Sequence, residues 1–227
     1  MSSGTTRLVG LLGHPVAHSL SPRMQNAAFA ARALDLAYAA FDVPPERLDG
    51  ALRGLVELGL LGANVTAPHK LEVARLVGSE LPSVNTLVVR DGRLHGFSTD
   101  AAVLDGLARE RPVVLGDGGA AAAFRHALPD AEVFSRSGDW PPRVEGAGLI
   151  VNATPVRDEV LVRLVPGQTL VDLPYPDSAT AVAAREAGAA VLDGLDVLVA
   201  QGAAAFELWT GVPAPVEVMH ASVRSAA

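Results

Sequence analysis

The sequence predicts an α/β protein of two domains, with C-terminal helices that return to the first domain. Three observations support this fold class. Short apolar runs alternate with helical patterns along the chain, which is typical of stacked βα units. At Pro112 an apolar run leads directly into a glycine-rich turn and an alanine-rich helical stretch, so a second series of βα units begins there. A helical pattern from about 195 to 209 is long enough to carry the chain back.

The N-terminal series contains three predicted strands, RLVGLLG, AYAAFDV and LLGANVT. Between the first two, Ser21 followed by Pro22 predicts an N-cap and a first-turn proline, and hence a helix over about 22–34. A second helix is predicted after the pair Pro44 and Pro45.

This series ends with a hairpin and a further helix. Asp91 and Gly92 lie in the middle of VNTLVVRDGRLHGF and predict a tight turn between two antiparallel strands. The stretch STDAAVLDGLARE, which follows, predicts a helix capped by Ser98 or Thr99.

The segment NVTAPHK ends in Lys70, the only lysine in a chain with 17 arginines. Arginine supplies a charge but does not release its proton in a protein, whereas lysine can. Lys70 is predicted to lie in the first turn of a helix that opens near Pro68, just beyond a strand end, where ligands of open α/β sheets bind. These points favour proton chemistry at Lys70, and an incidental surface charge is the alternative.

The stretch PVVLGDGGAAAAFRHAL carries Gly116, Gly118 and Ala121 in the spacing of the G-x-G-x-x-G/A dinucleotide fingerprint. A predicted strand leads into the glycine turn and a helix follows it. Backbone N–H groups at the start of that helix are therefore placed to hold a pyrophosphate. We expect the second domain to be Rossmann-like, although a glycine turn without a ligand would show the same pattern.

The next predicted strand, AEVF, is followed by Ser135, Arg136 and Ser137. A site for NAD usually offers Asp or Glu here to the ribose 2′-hydroxyl group. An arginine between two hydroxyl groups instead suits the extra 2′-phosphate of NADP. The predicted cofactor is therefore NADP(H).

Two further strands, GLIVNAT and QTLVDLP, a helix and the short strand AAVLD complete the second domain. In the returning helix, Phe206 and Trp209 are one turn apart and are predicted to be core residues. The predicted segments are a substrate-binding domain at 1–101, a dinucleotide-binding domain at 102–194 and C-terminal helices at 195–227.

Composition limits the possible partners. A formal net charge of −7 without a basic cluster argues against nucleic acid and anionic membranes and favours a small molecule. The lack of cysteine excludes disulfides and suits the reducing cytoplasm. No run of about 18 apolar residues predicts a membrane span, so the expected location is cytoplasmic. His14 and His18 lack the spacing of metal ligands, so no metal site is predicted.

Taken together, these motifs resemble the shikimate dehydrogenase family. The stretches GHPVAHSLSPRMQN, GANVTAPHK, VNTL, STD, GDGGAA, SRS, NATP, DLPYP and GLDVLVAQGAAAFELWTG occur in the family's order and approximate spacing. The resemblance covers nearly the whole chain. It implies an NADPH-dependent, reversible reduction of 3-dehydroshikimate to shikimate, a step of chorismate and aromatic amino-acid biosynthesis, by a monomer or homodimer.

The resemblance also implies site residues. Lys70 matches the family's catalytic lysine, and Asp100 matches the carboxylate beside it. The implied substrate-binding residues are Ser19, Ser21, Asn64, Thr66, Asn85, Tyr175 and Gln201. The implied cofactor-binding residues are Gly116, Asp117, Gly118, Gly119, Ala120, Ser135, Arg136, Ser137, Asn152, Ala153, Thr154, Leu173 and Gly194. For Asn152 and Thr154, a purely structural role at a strand end is an equal alternative.

The chain departs from the family's pattern in the cofactor half. Ala122 stands where an arginine is common, and Asp117 stands where a small neutral residue is common. A short crossover containing Pro141 and Pro142 replaces a helix. These differences predict a less pronounced preference for NADP.

Two alternatives to shikimate dehydrogenase stay open on the sequence. One is an enzyme that acts on quinate or a related cyclic hydroxy acid, because one ring hydroxyl group more or less is decided by side-chain geometry. The other is a non-catalytic shikimate-binding relative with weakened NADP binding. Asp117 and Ala122 leave the second alternative open, whereas Lys70 and Asp100 disfavour it.

Overall fold

A computed structural model describes residues 3–225 and confirms the α/β fold class. The chain divides into two compact units. The first consists of the residues up to 99 together with those from 199 onward, and the second consists of residues 100–198. Within residues 3–225, no helix is long and apolar enough to cross a membrane.

The first unit is built on five strands. They are β1 (Arg7–Gly13), β2 (Leu36–Asp42), β3 (Gly62–Val65), β4 (Thr86–Arg90) and β5 (Arg93–Phe97). The spatial order is β2-β1-β3-β4-β5, with β1 parallel to both neighbours and the β3–β4 and β4–β5 pairs antiparallel. Asp91 and Gly92 join β4 to β5 with φ angles of 52° and 69°, the left-handed conformation of a type I′ turn, which confirms the predicted hairpin.

Helices surround this sheet. They are α1 (Ser21–Ala31), α2 (Leu48–Glu57) after a short 3₁₀ helix (Pro45–Arg47), α3 (Lys70–Leu76), the later part of α6 (Gly194–Thr210) and α7 (Val216–Arg224). Phe29 stacks on Phe206 with ring centroids 5.6 Å apart, and Trp209 Nε1 donates a 2.9 Å hydrogen bond to the carbonyl of Leu87. Both Phe206 and Trp209 are buried, as predicted.

Two helix predictions were wrong in detail. Ser21 is the first residue of α1 rather than its N-cap, and Leu20 takes the N-cap position. Proline is compatible with either of the first two helical positions, so Pro22 does not fix the start. The helix predicted after Ser98 is only a 3₁₀ helix, Asp100–Leu104, because Gly106 takes a left-handed conformation at φ 78° and ends it.

The hydroxyl group of Thr99 does not provide the predicted cap. It hydrogen-bonds to Asn85 and Thr86 instead. Thr86 begins β4 and Asn85 directly precedes it, so a local sequence pattern around Thr99 does not show these partners.

The second unit contains a fully parallel sheet. Its strands are β6 (Val113–Leu115), β7 (Glu132–Phe134), β8 (Leu149–Asn152), β9 (Thr169–Asp172) and β10 (Ala190–Leu192), and their spatial order is β10-β9-β8-β6-β7. The helices α4 (Gly119–Ala127) and α5 (Ala179–Glu186) belong to this unit. As predicted, the crossover from β7 to β8 has no helix. Strands β6, β8 and β9 are buried almost throughout, as expected for a parallel sheet.

Candidate active site

Lys70 begins helix α3, a few residues after the end of β3. The N-cap residue of this helix is His69, which is 2 % exposed. Its Nε2 lies 2.7 Å from the backbone carbonyl of Val43, so the ring donates its proton there. His69 therefore fixes the start of α3, and with it the backbone from which the half-buried Lys70 side chain extends.

A buried polar chain runs through the first unit close to the same strand ends. The hydroxyl group of Tyr38 donates a 2.8 Å hydrogen bond to Asn64 Oδ1, and Asn64 Nδ2 donates to Thr86 Oγ1 at 3.0 Å. Burial raises the pKa of Tyr38 far above its ordinary value, and a hydrogen bond with Ser21 opposes this shift only in part. Tyr38 therefore stays neutral at any physiological pH.

Asn85 connects this series of hydrogen bonds to the C-terminal helix α6. Its Oδ1 accepts a 2.7 Å hydrogen bond from the backbone amide of Thr99, and its Nδ2 donates to Thr99 Oγ1 at 3.0 Å and to Gln201 Oε1 at 3.4 Å. Gln201 lies on α6, far from Asn85 in sequence. The structure thus brings together two predicted substrate-binding residues that the sequence separates widely.

The other predicted substrate-binding residues of this unit lie on loops and helix starts. Ser19 Oγ accepts a 3.2 Å hydrogen bond from the backbone amide of Ser21. Ser19 is half-buried and Ser21 is buried. Thr66 directly follows β3 and is half-buried, and its amide donates to the carbonyl of Leu12 at 2.9 Å. These positions leave Ser19 and Thr66 partly accessible to a ligand.

Asp100 and Tyr175 belong to the second unit. Asp100 is buried and begins the 3₁₀ helix, directly after the Thr99 amide that Asn85 fixes. Tyr175 is half-buried and lies between β9 and α5.

The predicted phosphate loop of the second unit lines a cavity of about 380 Å³. Gly116 has φ 115°, and a Cβ atom there would lie 3.1 Å from the carbonyl oxygen of Ala153, so only glycine fits. Gly118 is the N-cap of α4 with open space around it. A glycine turn that presents open helix N–H groups fits a pyrophosphate. Eight predicted cofactor-binding residues line this cavity: Gly116, Asp117, Gly118, Ser135, Arg136, Ser137, Ala153 and Thr154. Gly119 and Ala120 begin α4 itself.

The predicted 2′-phosphate clamp lies at the same cavity, and its polar groups already have protein partners. Ser135 Oγ and Ser137 Oγ are 3.0 Å apart, and the Ser137 hydroxyl group donates to the carboxylate of Asp117. The guanidinium of Arg136 pairs with Glu159 and lies 5.6 Å from the ring centroid of Trp140. Arg136 remains more than half exposed.

Asn152 is buried and its side chain is fully engaged. Its Nδ2 donates to Asp172 Oδ1 at 2.7 Å, while its Oδ1 accepts from the amide and hydroxyl groups of Thr154 at 3.1 and 2.7 Å. Burial raises the pKa of Asp172, which is 0 % exposed. Asn152 thus shapes the loop that holds Ala153 and Thr154, two of the predicted cofactor-binding residues.

The two remaining predicted cofactor-binding residues lie beside this loop. The amide of Leu173 donates to the carbonyl of Asn152 at 3.0 Å. A Cβ atom on Gly194 would lie 2.6 Å from the carbonyl oxygen of Leu173 and would also clash with that of Pro174. Gly194 therefore permits a close backbone approach at the start of α6.

Sequence reasoning missed four residues of these sites: Tyr38, His69, Glu159 and Asp172. His69 adjoins Lys70 in NVTAPHK, so the motif itself carried a signal. Tyr38 and Asp172 lie in apolar strand patterns, where a buried polar side chain usually implies a partner. Glu159 carried no local signal. In the part of the chain described, no group of three or more His, Asp or Glu is arranged to hold a metal.

Comparison with known proteins identifies the family. A family model of the shikimate dehydrogenase substrate binding domain matches residues 11–86, and one of the shikimate 5′-dehydrogenase C-terminal domain matches residues 194–224. The shikimate dehydrogenase (NADP(+)) of Moorella thermoacetica is 41 % identical over 277 aligned positions, which cover 98 % of this chain and 94 % of the relative. Because this chain has only 227 residues, the relative contains segments that have no counterpart here.

Solved structures agree with this comparison. The shikimate dehydrogenase of Aquifex aeolicus is 33 % identical, with a TM-score of 0.89 over 99 % of this chain and 100 % of that one. The shikimate 5-dehydrogenase of Thermus thermophilus, solved with NADP(H) and shikimate, is 31 % identical, with a TM-score of 0.86 over 97 % and 100 % of the two chains. On this evidence, the chain belongs to the shikimate dehydrogenase family.

Proposed function

We propose that this protein is an NADP-dependent shikimate dehydrogenase, which reversibly reduces 3-dehydroshikimate to shikimate in aromatic amino-acid biosynthesis. The observation that carries the proposal is the position of Lys70. The only lysine of the chain begins helix α3, just beyond the end of β3. Near that end of β3, Asn64 belongs to a buried hydrogen-bond network with Tyr38 and Asn85. Full-length similarity to NADP-dependent shikimate dehydrogenases supports the same function.

Lys70 and Asp100 are the proposed catalytic residues. When bound, NADPH supplies the hydride that reduces the ketone carbon of the substrate. Negative charge then develops on the former ketone oxygen, where the Lys70 ammonium stabilises it and donates a proton to give the hydroxyl group. Asp100 is proposed to orient that ammonium and to balance its charge. In the reverse direction, neutral Lys70 accepts the proton.

The substrate-binding role is proposed for two kinds of group. Ser19 and Ser21 offer hydroxyl groups to the substrate carboxylate. Short neutral donors and acceptors hold the ring hydroxyl and oxo groups, because each buried polar group left unpaired costs about 1–3 kcal/mol. These are Asn64, Thr66, Asn85, Tyr175 and Gln201. The internal hydrogen bonds of Asn64 and Asn85 support this role, since they hold both amides in fixed orientations.

The cofactor is proposed to bind the cavity of the second unit. The glycine turn and the N terminus of α4 suit the pyrophosphate, and Ser135, Arg136 and Ser137 suit the 2′-phosphate. Asn152, Ala153, Thr154, Leu173 and Gly194 are proposed to line the nicotinamide half. The division into a substrate-binding and a cofactor-binding domain, a cytoplasmic location and a monomeric or homodimeric state are part of the same proposal.

A spectrophotometric assay of NADPH consumption with 3-dehydroshikimate tests the function. We expect NADPH to be consumed and shikimate to be formed in equal amounts, with NADP⁺ reduced in the reverse direction. Oxidation of quinate with a higher kcat/KM than that of shikimate would reassign the substrate. Binding of shikimate without any turnover would instead identify a non-catalytic relative.

A further inference from the structure

Arg136 is not an open cation in this protein. Its guanidinium pairs with the carboxylate of Glu159 and lies over the ring of Trp140, at 5.6 Å from the centroid. These two contacts fix it at the rim of the cavity that Arg136 and Trp140 both line. A phosphate that binds Arg136 therefore meets a guanidinium that already has an anionic partner.

The position of Glu159 is fixed by the fold and not only by its ion pair. The buried hydroxyl group of Thr180 on α5 donates to the backbone carbonyl of Glu159 at 3.3 Å and accepts from the amide of Leu161 at 2.9 Å. The amide of Ala179 also donates to the carbonyl of Arg157 at 2.6 Å. All three hydrogen bonds attach the segment that carries Glu159 to the start of α5.

A second carboxylate acts on the same clamp. Asp117 accepts a hydrogen bond from the hydroxyl group of Ser137 and lines the cavity. Two of the three groups expected to hold a 2′-phosphate, Arg136 and Ser137, are therefore paired with carboxylates. A ribose 2′-phosphate carries a charge between about −1.5 and −2, by analogy with other phosphate monoesters of pKa about 6, whereas the 2′-hydroxyl of NAD carries none. Carboxylates at this site oppose the 2′-phosphate of NADP by charge repulsion and by competition for its partners, whereas the uncharged 2′-hydroxyl group of NAD is not repelled.

We propose that Glu159 lowers the selectivity of this enzyme for NADP over NAD, because its carboxylate competes with the 2′-phosphate for the guanidinium of Arg136. This inference rests on the proposed function only in assuming that the cavity binds a nicotinamide dinucleotide. Glu159 acts only through its ion pair with Arg136 and has no catalytic role in this proposal. Both partners are exposed, so the competition is worth a factor of about two to five in affinity, the scale of exposed ion pairs.

Isothermal titration calorimetry of NADP⁺ and NAD⁺ with the full-length protein tests the proposal. The variants are Glu159→Gln, Arg136→Ala and the double variant. Asp158→Asn is the matched control, because it removes the same charge from the adjacent exposed position. Thermal unfolding of each variant shows whether the fold is retained.

We expect Glu159→Gln to lower the Kd for NADP⁺ about two- to fivefold and to leave the Kd for NAD⁺ unchanged. Asp158→Asn should change the ratio of the two constants much less. In the Arg136→Ala background, Glu159→Gln should no longer favour NADP⁺. The gain should shrink at high salt, since exposed charges are screened.

Three results would overturn the proposal. If Glu159→Gln weakened NADP⁺ binding, Glu159 would orient Arg136 for the phosphate rather than compete with it. If Asp158→Asn gave the same gain, the effect would come from the net charge of the loop and not from the ion pair. If Glu159→Gln left the ratio of the Kd values for NADP⁺ and NAD⁺ unchanged, the 2′-phosphate and the carboxylate would bind the Arg136 guanidinium together. That result also contradicts competition.

Failure of the proposed function can be told apart from failure of this inference. If wild-type protein bound both dinucleotides, and Glu159→Gln shifted their ratio as expected, but 3-dehydroshikimate was not reduced, the dehydrogenase function would fall while the role of Glu159 stood. If the wild-type protein bound neither dinucleotide, both would fall.

Discussion

The hydroxyl group of Tyr38 donates a 2.8 Å hydrogen bond to Oδ1 of Asn64, in the interior of the first unit. Tyr38 is also linked to Ser21, so one buried phenol connects two proposed substrate-binding residues from different elements. Their proposed role in substrate binding thus depends on a side chain that is not itself proposed to contact the substrate. This dependence can be measured.

Tyr38→Phe should lower the free energy of unfolding by about 1–3 kcal/mol, because Asn64 Oδ1 loses a donor in a buried site. The substrate KM should rise, while the KM for NADPH should stay the same. Urea unfolding and steady-state kinetics measure these effects. An unchanged stability and an unchanged substrate KM would show that the network has no part in placing Asn64.

The effect of Tyr38→Phe on stability should depend on pH. Burial raises the pKa of Tyr38 in the folded state, so the folded protein keeps a proton that the unfolded chain loses above about pH 10. This contribution to stability is present below that pH and is lost as the pH rises through it. The stability advantage of wild type over Tyr38→Phe should therefore shrink above about pH 10. A constant difference would contradict the buried position of the phenol.

Asp172 gives a second pH prediction, in the acid range. Burial raises its pKa above the ordinary value of 3.8, so its contribution to stability is present below that value and is lost as the pH rises through the raised pKa. Relative to Asp172→Asn, the wild type should thus lose stability as the pH rises from about 4 towards neutrality. Urea unfolding of both proteins across that range measures the difference. A relative gain with rising pH would mean that Asn152 and Ser178 stabilise the carboxylate more than burial disfavours it.

Gly194 and Gly118 form a pair of contrasting positions. Gly194→Ala should destabilise the protein by about 1–3 kcal/mol, because the new methyl group meets the backbone carbonyl oxygens of Leu173 and Pro174. Gly118→Ala should cost less, no more than about 1 kcal/mol, because the space around that position is open and only the poorer N-cap preference of alanine is lost. Thermal unfolding of the two variants compares them. Equal effects would show that the close approach at Gly194 relaxes at little cost.

Arg136→Ala should raise the KM for NADPH far more than the KM for NADH, because only NADPH carries a 2′-phosphate. Arg143→Ala is the control, since Arg143 lies in the same crossover and pairs with Asp139 on the surface. It removes the same charge from a side chain that contacts Asp139 and the ring of Phe134. Equal effects of Arg136→Ala on both cofactors would remove Arg136 from the 2′-phosphate site.

Much of the fold could be predicted because its signals are local. Apolar runs marked the strands, and the Asp91-Gly92 pair marked the hairpin that the structure contains. The fingerprint from Gly116 to Ala121 was predicted in its strand-turn-helix context, and β6 and α4 flank it as expected. Ser21 shows the limit of such signals, because a proline at the second helical position looks the same in sequence as one at the first.

The unpredicted parts depend on contacts across the chain. Tyr38 reaches Asn64 and Arg136 reaches Glu159 over more than 20 residues, and no local pattern specifies either partner. Thr99 looked like a helix cap because its competing partner, Asn85, lies on another segment. The residues that resemble a family motif could be named from the sequence. The side chains that hold them in place required the structure.

The central claim is that Lys70 transfers a proton and does not merely supply a charge. The direct measurement is the kcat of Lys70→Arg and Lys70→Ala for 3-dehydroshikimate reduction, with the substrate KM measured in parallel. Arginine keeps the charge but does not release a proton, so both variants should lose turnover by about a hundredfold or more, the scale of general acid–base catalysis, while the KM changes much less. A Lys70→Arg enzyme with a kcat within a few fold of wild type would contradict the claim, and the proton would then have to come from another group.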